Sequence, residues 1–247
     1  MANTKMELFN LIFEVTRRCN LCCEHCLRGE AQNMDMTKET VDKVLDRVES
    51  ISSLTLSGGE PTLNIPIIRY IFSEIRRMEI PMGSFYVVTN SITNQMELAQ
   101  LLLENISYCN EPEMCGVAVS TDIFHDNDKE AETSPLHYLT FCNKDKEMGD
   151  YYGGKGIIQR GRAQNFAGGR KEDPIIGFEG GVVEYNRNRD CLWIDGEFYV
   201  SAAGEICADC DLSYEMMQDY SVTTIDSLPQ LIEELKGEDE DSANSAA

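Results

Sequence analysis

Short apolar runs alternate with helical patterns through the first two-thirds of the chain. Residues 8–15 are rich in β-formers, and Val41, Val44, Leu45 and Val48 repeat at the spacing of one helical face. The same alternation continues with predicted helices around residues 67–75 and 96–103 and predicted strands at 54–56, 85–88, 117–119 and 156–159. Alternation of strands and helices at intervals of about 30 residues is typical of βαβ units and a parallel sheet.

The number of these units distinguishes a closed barrel from an open one. The pattern contains five units and leaves room for a sixth, fewer than the eight of a closed barrel. We therefore predict an α/β fold, a partial (βα)6-type TIM barrel with an open, curved sheet. Ligands of such sheets bind beyond the carboxyl ends of the strands. Four polar segments directly follow predicted strands and should meet at that edge: the loop after residue 15, residues 58–60, residues 89–90 and residues 120–122.

The pattern changes after residue 165. Residues 192–200 are predicted as a β-hairpin that turns at an Asp-Gly pair. A short helix is predicted at 227–236, ended by Gly237, and the acidic tail that follows has no large apolar side chain to bury. The predicted organisation is a core at 1–165, an extension with a small hairpin and cysteines at 166–236, and a disordered tail at 237–247.

The charge and hydropathy of the chain indicate which binding partners and which cellular compartment to expect. The chain has 21 basic and 43 acidic residues, a formal net charge of −22. This charge disfavours binding to nucleic acids and to anionic membranes, both of which require basic surfaces. No run approaches the roughly 20 apolar residues of a membrane span, and the apolar run at 8–13 is too short for a signal peptide. We therefore expect a cytoplasmic protein.

Ten cysteines then require an explanation, because disulfides are rare in a reducing compartment. Cys19, Cys23 and Cys26 are spaced C-x3-C-x2-C in the loop after the first predicted strand. Three thiolates can bind three irons of a 4Fe–4S cluster and leave the fourth iron without a protein ligand. A zinc ion would need a fourth ligand, for which Cys22 or His25 is available. The spacing alone leaves cluster, zinc and coincidence open.

Several motifs occur together in one order. The stretch 13–26, Phe-Glu-Val-Thr-Arg-Arg-Cys-Asn-Leu-Cys-Cys-Glu-His-Cys, resembles the signature loop of the radical S-adenosylmethionine (radical SAM) superfamily. Gly-Gly-Glu-Pro at 58–61 resembles the turn after that family's second strand, and segments 87–90, 119–122 and 161–163 resemble its later elements. The resemblance covers residues 8–165. It implies a 4Fe–4S cluster on Cys19, Cys23 and Cys26, and S-adenosylmethionine (SAM) bound to the unligated iron through its amine and carboxylate.

The resemblance also implies roles for individual residues. Gly58 and Gly59 would let the backbone approach the cofactor, and Glu60 would accept hydrogen bonds from its amine. Ser120 and Asp122 would bind the ribose hydroxyls. Arg160 or Arg162 would pair with the cofactor carboxylate. The implied SAM-binding set is Gly58, Gly59, Glu60, Thr89, Asn90, Ser120, Asp122, Arg160 and Arg162. No catalytic acid or base is identified.

The implied reaction follows from these cofactors. Reductive cleavage of SAM would yield a 5′-deoxyadenosyl radical that takes a hydrogen atom from a substrate, while the protein orients the substrate and excludes water. The substrate is expected to be a peptide or protein side chain, and the electron donor a flavodoxin or a ferredoxin.

A second group of cysteines, near the C-terminus, bears on which kind of radical SAM protein the chain resembles. Cys191-x12-Gly204, followed by Cys207-x2-Cys210, resembles the first part of the SPASM or twitch extension of peptide-modifying radical SAM enzymes, but no further cysteine follows. Cys191, Cys207 and Cys210 could bind an auxiliary 4Fe–4S cluster, bind zinc, or remain plain thiols. Two alternatives stay open. One is a glycyl-radical-enzyme activase, which would not need these thiols as ligands. The other is a non-catalytic iron–sulfur or zinc binding interaction module, which would not require a cofactor pocket.

Overall fold

The computed structural model describes residues 4–120, 124–125, 133–144, 156–178 and 182–245. The strands and helices among them follow the α/β alternation that the sequence predicts. In chain order they are β1 (Lys5–Glu14), α1 (Lys38–Leu45), β2 (Val48–Ser57), α2 (Ile65–Arg77), β3 (Met82–Thr89), α3 (Gln95–Ile106), β4 (Gly116–Val119), β5 (Cys142–Lys144), β6 (Val182–Asn186), β7 (Cys191–Val200), β8 (Glu205–Cys207), α4 (Met216–Tyr220), β9 (Thr223–Thr224) and α5 (Leu228–Ser245).

These strands form one sheet in the order β5-β4-β3-β2-β1-β7-β8-β9, with β6 paired to β7. Strands β1 to β5 are parallel, and β7 also runs parallel to β1. Strands β6, β8 and β9 pair antiparallel. Within the described residues β5 and β9 lie at opposite ends of the sheet, which is therefore open. The predicted partial barrel is confirmed.

Helices α1, α2 and α3 cover one face of the sheet, where the main core lies. Helix α1 begins after Thr37, whose side chain accepts a hydrogen bond from the Thr40 N–H, and it buries Val41 and Val44. The apolar face of α2 packs against fully buried strand residues such as Phe13 and Phe85. Burial of this face is the main stabilising contribution to the sheet–helix layer.

The opposite face of the parallel strands carries a row of polar side chains and, beside it, a smaller buried cluster that includes Ile12, Tyr199 and Met217. Because side chains alternate between the two faces of a strand, the residues between the core positions point away from the helices. Asn10, Ser53 and Ser84 are aligned in one row across β1, β2 and β3. Thr55 Oγ1 donates to Asn10 Oδ1 at 3.1 Å. The inside of the partial barrel is therefore polar along this row on β1 to β3 and apolar where β1 meets β7.

The prediction of a fifth strand at residues 156–159 is wrong. The fifth parallel strand is β5, which pairs with β4, whereas Ile158 makes only an isolated bridge to Arg170. The sequence of β5 is Cys-Asn-Lys, which has no run of β-branched or aromatic residues and therefore carries no strand signal.

The predicted hairpin at residues 192–200 is also wrong. Strand β7 is continuous, and the Asp195-Gly196 pair lies where its register against β1 shifts. The Asp-Gly pair therefore forms a β-bulge within the strand and not the predicted turn. The hairpin of this region is instead formed by β6 and β7, and Asp190 lies at its turn with a φ of 48°.

The C-terminal segment joins the core sheet directly. Residues of β7, among them Leu192 and Phe198, belong to the same buried cluster as Leu11 and Phe13 of β1. Helix α5 continues past Gly237 to Ser245, so the predicted helix end is wrong. One glycine costs a helix about 1 kcal/mol, and no proline follows it in the sequence. The boundary at residue 165 stays a prediction.

None of the helices in the described residues combines the length and the apolar character that a membrane span requires.

Candidate functional site

The carboxyl ends of β1 to β4 meet at one edge of the sheet. The loop after β1 is bound to the turn after β2, because the N–H of Gly59 donates to Thr16 O and the N–H of Glu60 donates to Arg18 O, both at 2.8 Å. The N–H of Ser120 donates to Thr89 O at 2.9 Å. The predicted convergence therefore holds for Ser120, whereas Asp122 lies outside the described residues.

The two glycines of the turn are required by the loop after β1. A Cβ at Gly58 would lie 2.5 Å from Thr16 O, and a Cβ at Gly59 would collide with Arg18 O. Real Cβ atoms do not approach backbone oxygens this closely. In this structure the missing side chains allow close approach of the cysteine loop, which is a different reason from the predicted approach of a cofactor.

Glu60 is almost completely buried, and it connects the turn to the end of β3. Its Oε1 accepts hydrogen bonds from the N–H and hydroxyl of Thr62 and from the Thr89 hydroxyl, the last at 2.7 Å. Its Oε2 accepts the Asn90 N–H at 2.7 Å. Burial raises the pKa of Glu60, and these hydrogen bonds oppose that shift. Both carboxylate oxygens therefore already have protein partners.

Thr89 and Asn90 extend this network to the cysteine loop. The side-chain amide of Asn90 donates to Asn20 Oδ1 at 2.8 Å, and Asn20 directly follows Cys19. Sequence reasoning missed Asn20, because an asparagine between two cysteines has no distinguishing pattern. The network makes the cysteine loop, the turn and the end of β3 one hydrogen-bonded unit.

The three motif cysteines lie in this loop as free thiols, each partly accessible. Burial raises the pKa of Cys19, and the neighbouring charges of Glu60, Cys23 and Cys26 add to the shift. The Cys26 N–H donates to Cys23 O at 3.2 Å, which closes a tight turn between them. Among the described residues no group of three or more His, Cys, Asp or Glu side chains has the geometry of a metal site. The donor set itself, three soft thiols on one short loop, fits an iron–sulfur cluster.

The segment that begins at Gly161 contacts the cysteine loop from the other side. Gly161 has a φ of 55°, and a Cβ there would collide with Leu27 O. The Arg162 N–H donates to Cys26 O at 3.0 Å, and its guanidinium donates to Cys22 Sγ at 3.1 Å. Arg162 therefore lies beside the motif, in contact with Cys22 and Cys26.

Arg160 is engaged elsewhere. Its buried guanidinium pairs with Asp209 Oδ2 at 3.2 Å, and it donates to Asp211 O at 2.7 Å and to Glu172 O at 3.1 Å. These partners belong to the segment after residue 165. Arg160 therefore joins that segment to the cysteine-loop region through its two terminal nitrogens, whereas its buried Nε has no hydrogen-bond partner among the described residues.

A buried ion network behind the loop was not predicted. Arg17 donates to Glu14 Oε2 at 3.1 Å and to Glu205 Oε2 at 2.9 Å, and its guanidinium lies 4.7 Å from the centre of the Tyr214 ring. Burial raises the pKa of Glu14, while the charges of Arg17 and Arg28 oppose the shift. The available signal was a glutamate at the end of an apolar strand, which has to be paired if the strand is buried.

The second cysteine group is not brought together. Cys191 pairs with Lys5 at the start of β7, whereas Cys207 pairs with Tyr199 near its other end. Eight residues of strand at about 3.3 Å per residue separate these positions by roughly 25 Å. One cluster or one zinc ion cannot bind both thiols, so the predicted three-cysteine auxiliary site is wrong.

Cys207 and Cys210 have ordinary protein surroundings. Burial raises the pKa of Cys207 to about 12 and that of Cys191 to about 11. The thiol of Cys210 donates to Glu197 Oε1 at 3.1 Å, and its N–H donates to Glu197 Oε2 at 2.7 Å. These contacts are those of packed, neutral thiols.

The fold and the loop together define a class of protein, the partial α/β barrels with a cysteine-rich cofactor loop at the carboxyl edge of the sheet. Residues 13–132 match the sequence profile of the Radical SAM superfamily. This half of the chain is a radical SAM domain. Membership carries the family's two cofactors, a 4Fe–4S cluster and SAM, which confirms that part of the prediction.

Two curated proteins are similar over a short region. Protein YfkA of Bacillus subtilis is 33% identical over 87 residues, 30% of this chain and 23% of that protein. The uncharacterized protein MJ0907 of Methanocaldococcus jannaschii is 35% identical over 65 residues, 25% of this chain and 23% of that protein. The similarity thus spans about a quarter of each relative.

Solved structures share the fold at low identity. The structure of anSMEcpe with bound AdoMet and the Cp18Cys peptide superimposes with a TM-score of 0.54 at 14% identity, covering 89% of this chain and 77% of that one. A second anSMEcpe structure with AdoMet gives a TM-score of 0.51 at 13% identity, with coverages of 88% and 78%. At these identities the similarity concerns the fold.

Proposed function

We propose that this chain is a radical SAM enzyme that removes a hydrogen atom from a peptide or protein side chain. The observation that carries the proposal is the hydrogen-bonded unit in which the loop of Cys19, Cys23 and Cys26 is bound to the Gly-Gly-Glu-Pro turn. When bound, the cofactors supply one-electron cleavage of the sulfonium and the removal of a hydrogen atom.

The proposed roles of the residues follow from their contacts. Cys19, Cys23 and Cys26 bind the cluster, and Arg162 balances part of the thiolate charge from beside Cys22 and Cys26. Glu60 keeps the loop in position through Asn90 and Asn20. This role replaces a direct bond to the cofactor amine as the main contribution of Glu60, since its oxygens already accept four hydrogen bonds.

The remaining cofactor contacts are assigned to the strand ends. Ser120, at the carboxyl end of β4, and Asp122 are proposed to bind the ribose hydroxyls, because hydroxyl and carboxylate oxygens accept such protons. The backbone of Gly58 and Gly59 and the side chain of Thr89 are proposed to line the cofactor site at the same edge of the sheet.

Two observations support a peptide as substrate. The inner face of the sheet carries a polar row, Asn10, Ser53 and Ser84, and polar groups of this kind can bind the amides of a peptide. The fold is shared with anSMEcpe, which was solved with a bound peptide. The net charge of −22 favours a cationic or neutral partner. A flavodoxin or ferredoxin is the proposed electron donor.

The test is anaerobic reconstitution with iron and sulfide, followed by reduction with dithionite in the presence of SAM. We expect about four irons per chain, as for a single cluster, and formation of 5′-deoxyadenosine. Replacing Cys19, Cys23 and Cys26 together by alanine should abolish both, whereas the matched variant Cys191→Ala should retain both. Unchanged 5′-deoxyadenosine formation in the triple variant would refute the proposal.

The substrate is tested separately. Peptides with a lysine-rich or a glutamate-rich sequence are incubated with the reconstituted enzyme, SAM and reductant, and their masses are compared with the amount of 5′-deoxyadenosine released. We expect a change of mass only in the cationic set. Modification confined to the acidic set would contradict the charge argument while leaving the assignment to SAM cleavage intact.

A further inference from the structure

Two arginines flank the cysteine motif at equal spacing. Arg17 lies two residues before Cys19, and Arg28 lies two residues after Cys26. Both side chains leave the loop and contact residues 199–217, the segment that runs from the end of β7 into α4 and that we call the C-terminal clamp. The two ends of the motif are therefore held by one segment that is distant from them in the sequence.

Arg17 is buried among partners from three elements. Its Nη2 donates to Glu205 Oε2 at 2.9 Å and contacts Met217 Sδ at 3.3 Å. Its Nε donates to Glu14 Oε2 at 3.1 Å, and the guanidinium carbon lies 4.7 Å from the centre of the Tyr214 ring. Only 4% of the side chain is exposed. Because the guanidinium is planar and rigid, contacts with several of its nitrogens and with its face fix its position.

The clamp in turn fixes the carboxylates that bind Arg17. The N–H of Ala202 donates to Glu14 Oε2 at 2.8 Å, and the Ser201 hydroxyl donates to Glu205 Oε2. Ser201 Oγ also accepts the N–H of Glu205 at 3.0 Å. The turn between β7 and β8 therefore supports both negative charges that face Arg17.

Arg28 has a similar arrangement at the other end of the loop. Its Nη1 donates to Leu212 O at 2.5 Å, and its guanidinium carbon lies 4.9 Å from the centre of the Tyr199 ring. Its backbone carbonyl accepts the N–H of Tyr214 at 3.0 Å. Tyr214 thus contacts both arginines, Arg17 through its ring and Arg28 through its main chain.

The clamp belongs to the sheet and does not depend on the loop for its position. Strand β7 runs parallel to β1, and β8 pairs antiparallel with β7. Tyr199 of β7 is fully buried in the same cluster as Ile12 of β1. The contacts of Arg17 and Arg28 therefore hold the loop relative to the strand that leads into it. A loop that is ordered before its ligand binds loses less conformational entropy on binding.

We propose that the C-terminal clamp positions the cysteine loop, so that Cys19, Cys23 and Cys26 are held in the arrangement that accepts the iron–sulfur cluster. Arg17 and Arg28 are positioning residues that act through the loop. The inference rests on the proposed binding of the cluster by these three thiols. It gives the clamp, which lies outside the residues that match the family profile, a role in the cofactor site.

Three variants of the full chain test this role. Arg28→Ala removes the bond to Leu212 O, whereas Glu205→Gln keeps the side-chain volume and removes a charge that faces Arg17. Leu192→Ala is the control for overall stability, because Leu192 is fully buried at the amino end of β7, away from the clamp. Loss of a large buried side chain destabilises the fold as a whole. Circular dichroism and urea denaturation establish that each variant is folded and how stable it is.

The first measurement is hydrogen exchange of the loop amides in the metal-free chain, followed by mass spectrometry. The N–H groups of Cys26 and Gly29 donate within the loop at 3.2 and 3.4 Å and report on its order. Such amides exchange through local opening. We expect exchange about tenfold faster in Arg28→Ala and Glu205→Gln, as for the loss of one hydrogen bond to a charged group. Leu192→Ala should leave the exchange of these amides unchanged.

The second measurement is the rate at which a chelator removes iron from the reconstituted protein. Arg28→Ala and Glu205→Gln should release iron about tenfold faster than the wild type, because the same contacts are lost. Leu192→Ala should release it at the wild-type rate. Arg28→Lys keeps the charge and a donor for Leu212 O, so it should restore both the exchange rate and the retention of iron.

The outcomes separate the clamp from general stability and from the proposed function. Wild-type exchange in folded Arg28→Ala and Glu205→Gln would overturn the proposal, and so would an equal increase in Leu192→Ala. Faster exchange with an unchanged rate of iron release would also overturn it, since the thiols would then not need the clamp. If Arg28→Ala does not fold, the isosteric Glu205→Gln decides. A wild-type protein that takes up no iron would refute the cluster assignment, while exchange in the metal-free chain would still decide whether the clamp orders the loop.

Discussion

The two cysteine groups near the ends of the chain look equally suited to metal binding in the sequence, yet the fold treats them differently. Cys19, Cys23 and Cys26 lie on one loop that the Gly-Gly turn, Asn90 and Arg162 contact from several sides. Cys191 and Cys207 lie at opposite ends of β7 and are buried among apolar side chains.

This difference shows when the spacing of cysteines in a sequence is evidence for a shared metal or cluster site. Three cysteines within eight residues remain close in any compact loop, because the chain between them is too short to separate them. Sixteen residues that contain a strand carry their ends far apart. Whether Cys191 lies near Cys207 depends on where the chain turns. Because the Asp-Gly pair forms a bulge and not a turn, the strand continues and the two cysteines lie far apart.

Substitution of Arg160 tests the contact between the two regions and is expected to have the largest effect. Its guanidinium binds Asp209 and two carbonyl groups of the C-terminal segment, while the next residues contact the cysteine loop. Arg160→Ala leaves the buried Asp209 carboxylate without its cation, which should cost about 3–5 kcal/mol of unfolding free energy. Urea denaturation monitored by circular dichroism measures this loss.

Arg170→Ala is the matched control, since Arg170 forms an exposed ion pair with Glu172. Exposed pairs contribute about 0–1 kcal/mol. Equal losses in the two variants would mean that Arg160 does not join the regions.

The first region was largely predictable and the second was not. Helices α1 to α3 and strands β1 to β4 follow local patterns, such as the Thr37 cap and the isoleucine face of α2. One bound is wrong: Val48, predicted on the face of α1, is the first residue of β2, which begins six residues before its predicted start. Pairing of β7 with β1 joins residues nearly 190 positions apart, and no local signal specifies it. Strand β5 was missed because its residues have no strand propensity and depend on β4 for their conformation.

Glu60 tests how much the turn contributes to the first region. Glu60→Gln replaces one carboxylate oxygen by an amide N–H2, which then faces the hydroxyl and N–H donors of Thr62, Thr89 or Asn90. Loss of buried acceptor bonds should cost about 1–3 kcal/mol. We also expect lower iron content after reconstitution, because the contact from Asn90 to Asn20 is weakened.

Glu79→Gln, at an exposed position, is the control and should change neither quantity. Wild-type stability with reduced iron content in Glu60→Gln would assign Glu60 a role at the cofactor and not in positioning the loop.

The site was predicted as a set of residues, but its connections were not. Spacing places Cys19, Cys23 and Cys26 together, and the succession of strands brings Gly59, Thr89 and Ser120 to one edge. The bonds between these segments, such as Glu60 to Asn90 or Arg160 to Asp209, join side chains from distant parts of the chain. Their partners depend on the final packing of several loops, which local sequence does not encode.

Cys191→Ala and Cys207→Ala examine the second region directly. Each substitution removes one buried sulfur, and we expect a loss of about 1 kcal/mol from reduced apolar burial. Iron content should stay at about four per chain in both variants, because a single cluster is bound by the first group. A fall in iron content from about eight to about four in Cys207→Ala would mean that the C-terminal segment binds a cluster of its own.

Asp190 gives the smallest effect and concerns the end of β7 that carries Cys191. Its carboxylate accepts hydrogen bonds from Thr4 and Tyr185 at 2.8 Å and from Lys236 at 3.0 Å, and these lower its pKa from 3.8 to about 2. A lowered pKa in the folded state means that the ionised carboxylate stabilises the fold above pH 4. This contribution is lost as the pH falls from about 4 to about 2.

The variant Asp190→Asn tests this contribution. Asparagine tolerates the left-handed backbone found at this position, but its side chain does not titrate. In urea denaturation the wild type should be more stable than the variant at pH 5, and the difference should shrink toward zero near pH 2. A difference that is constant over this range would mean that Asp190 stabilises the turn without its charge.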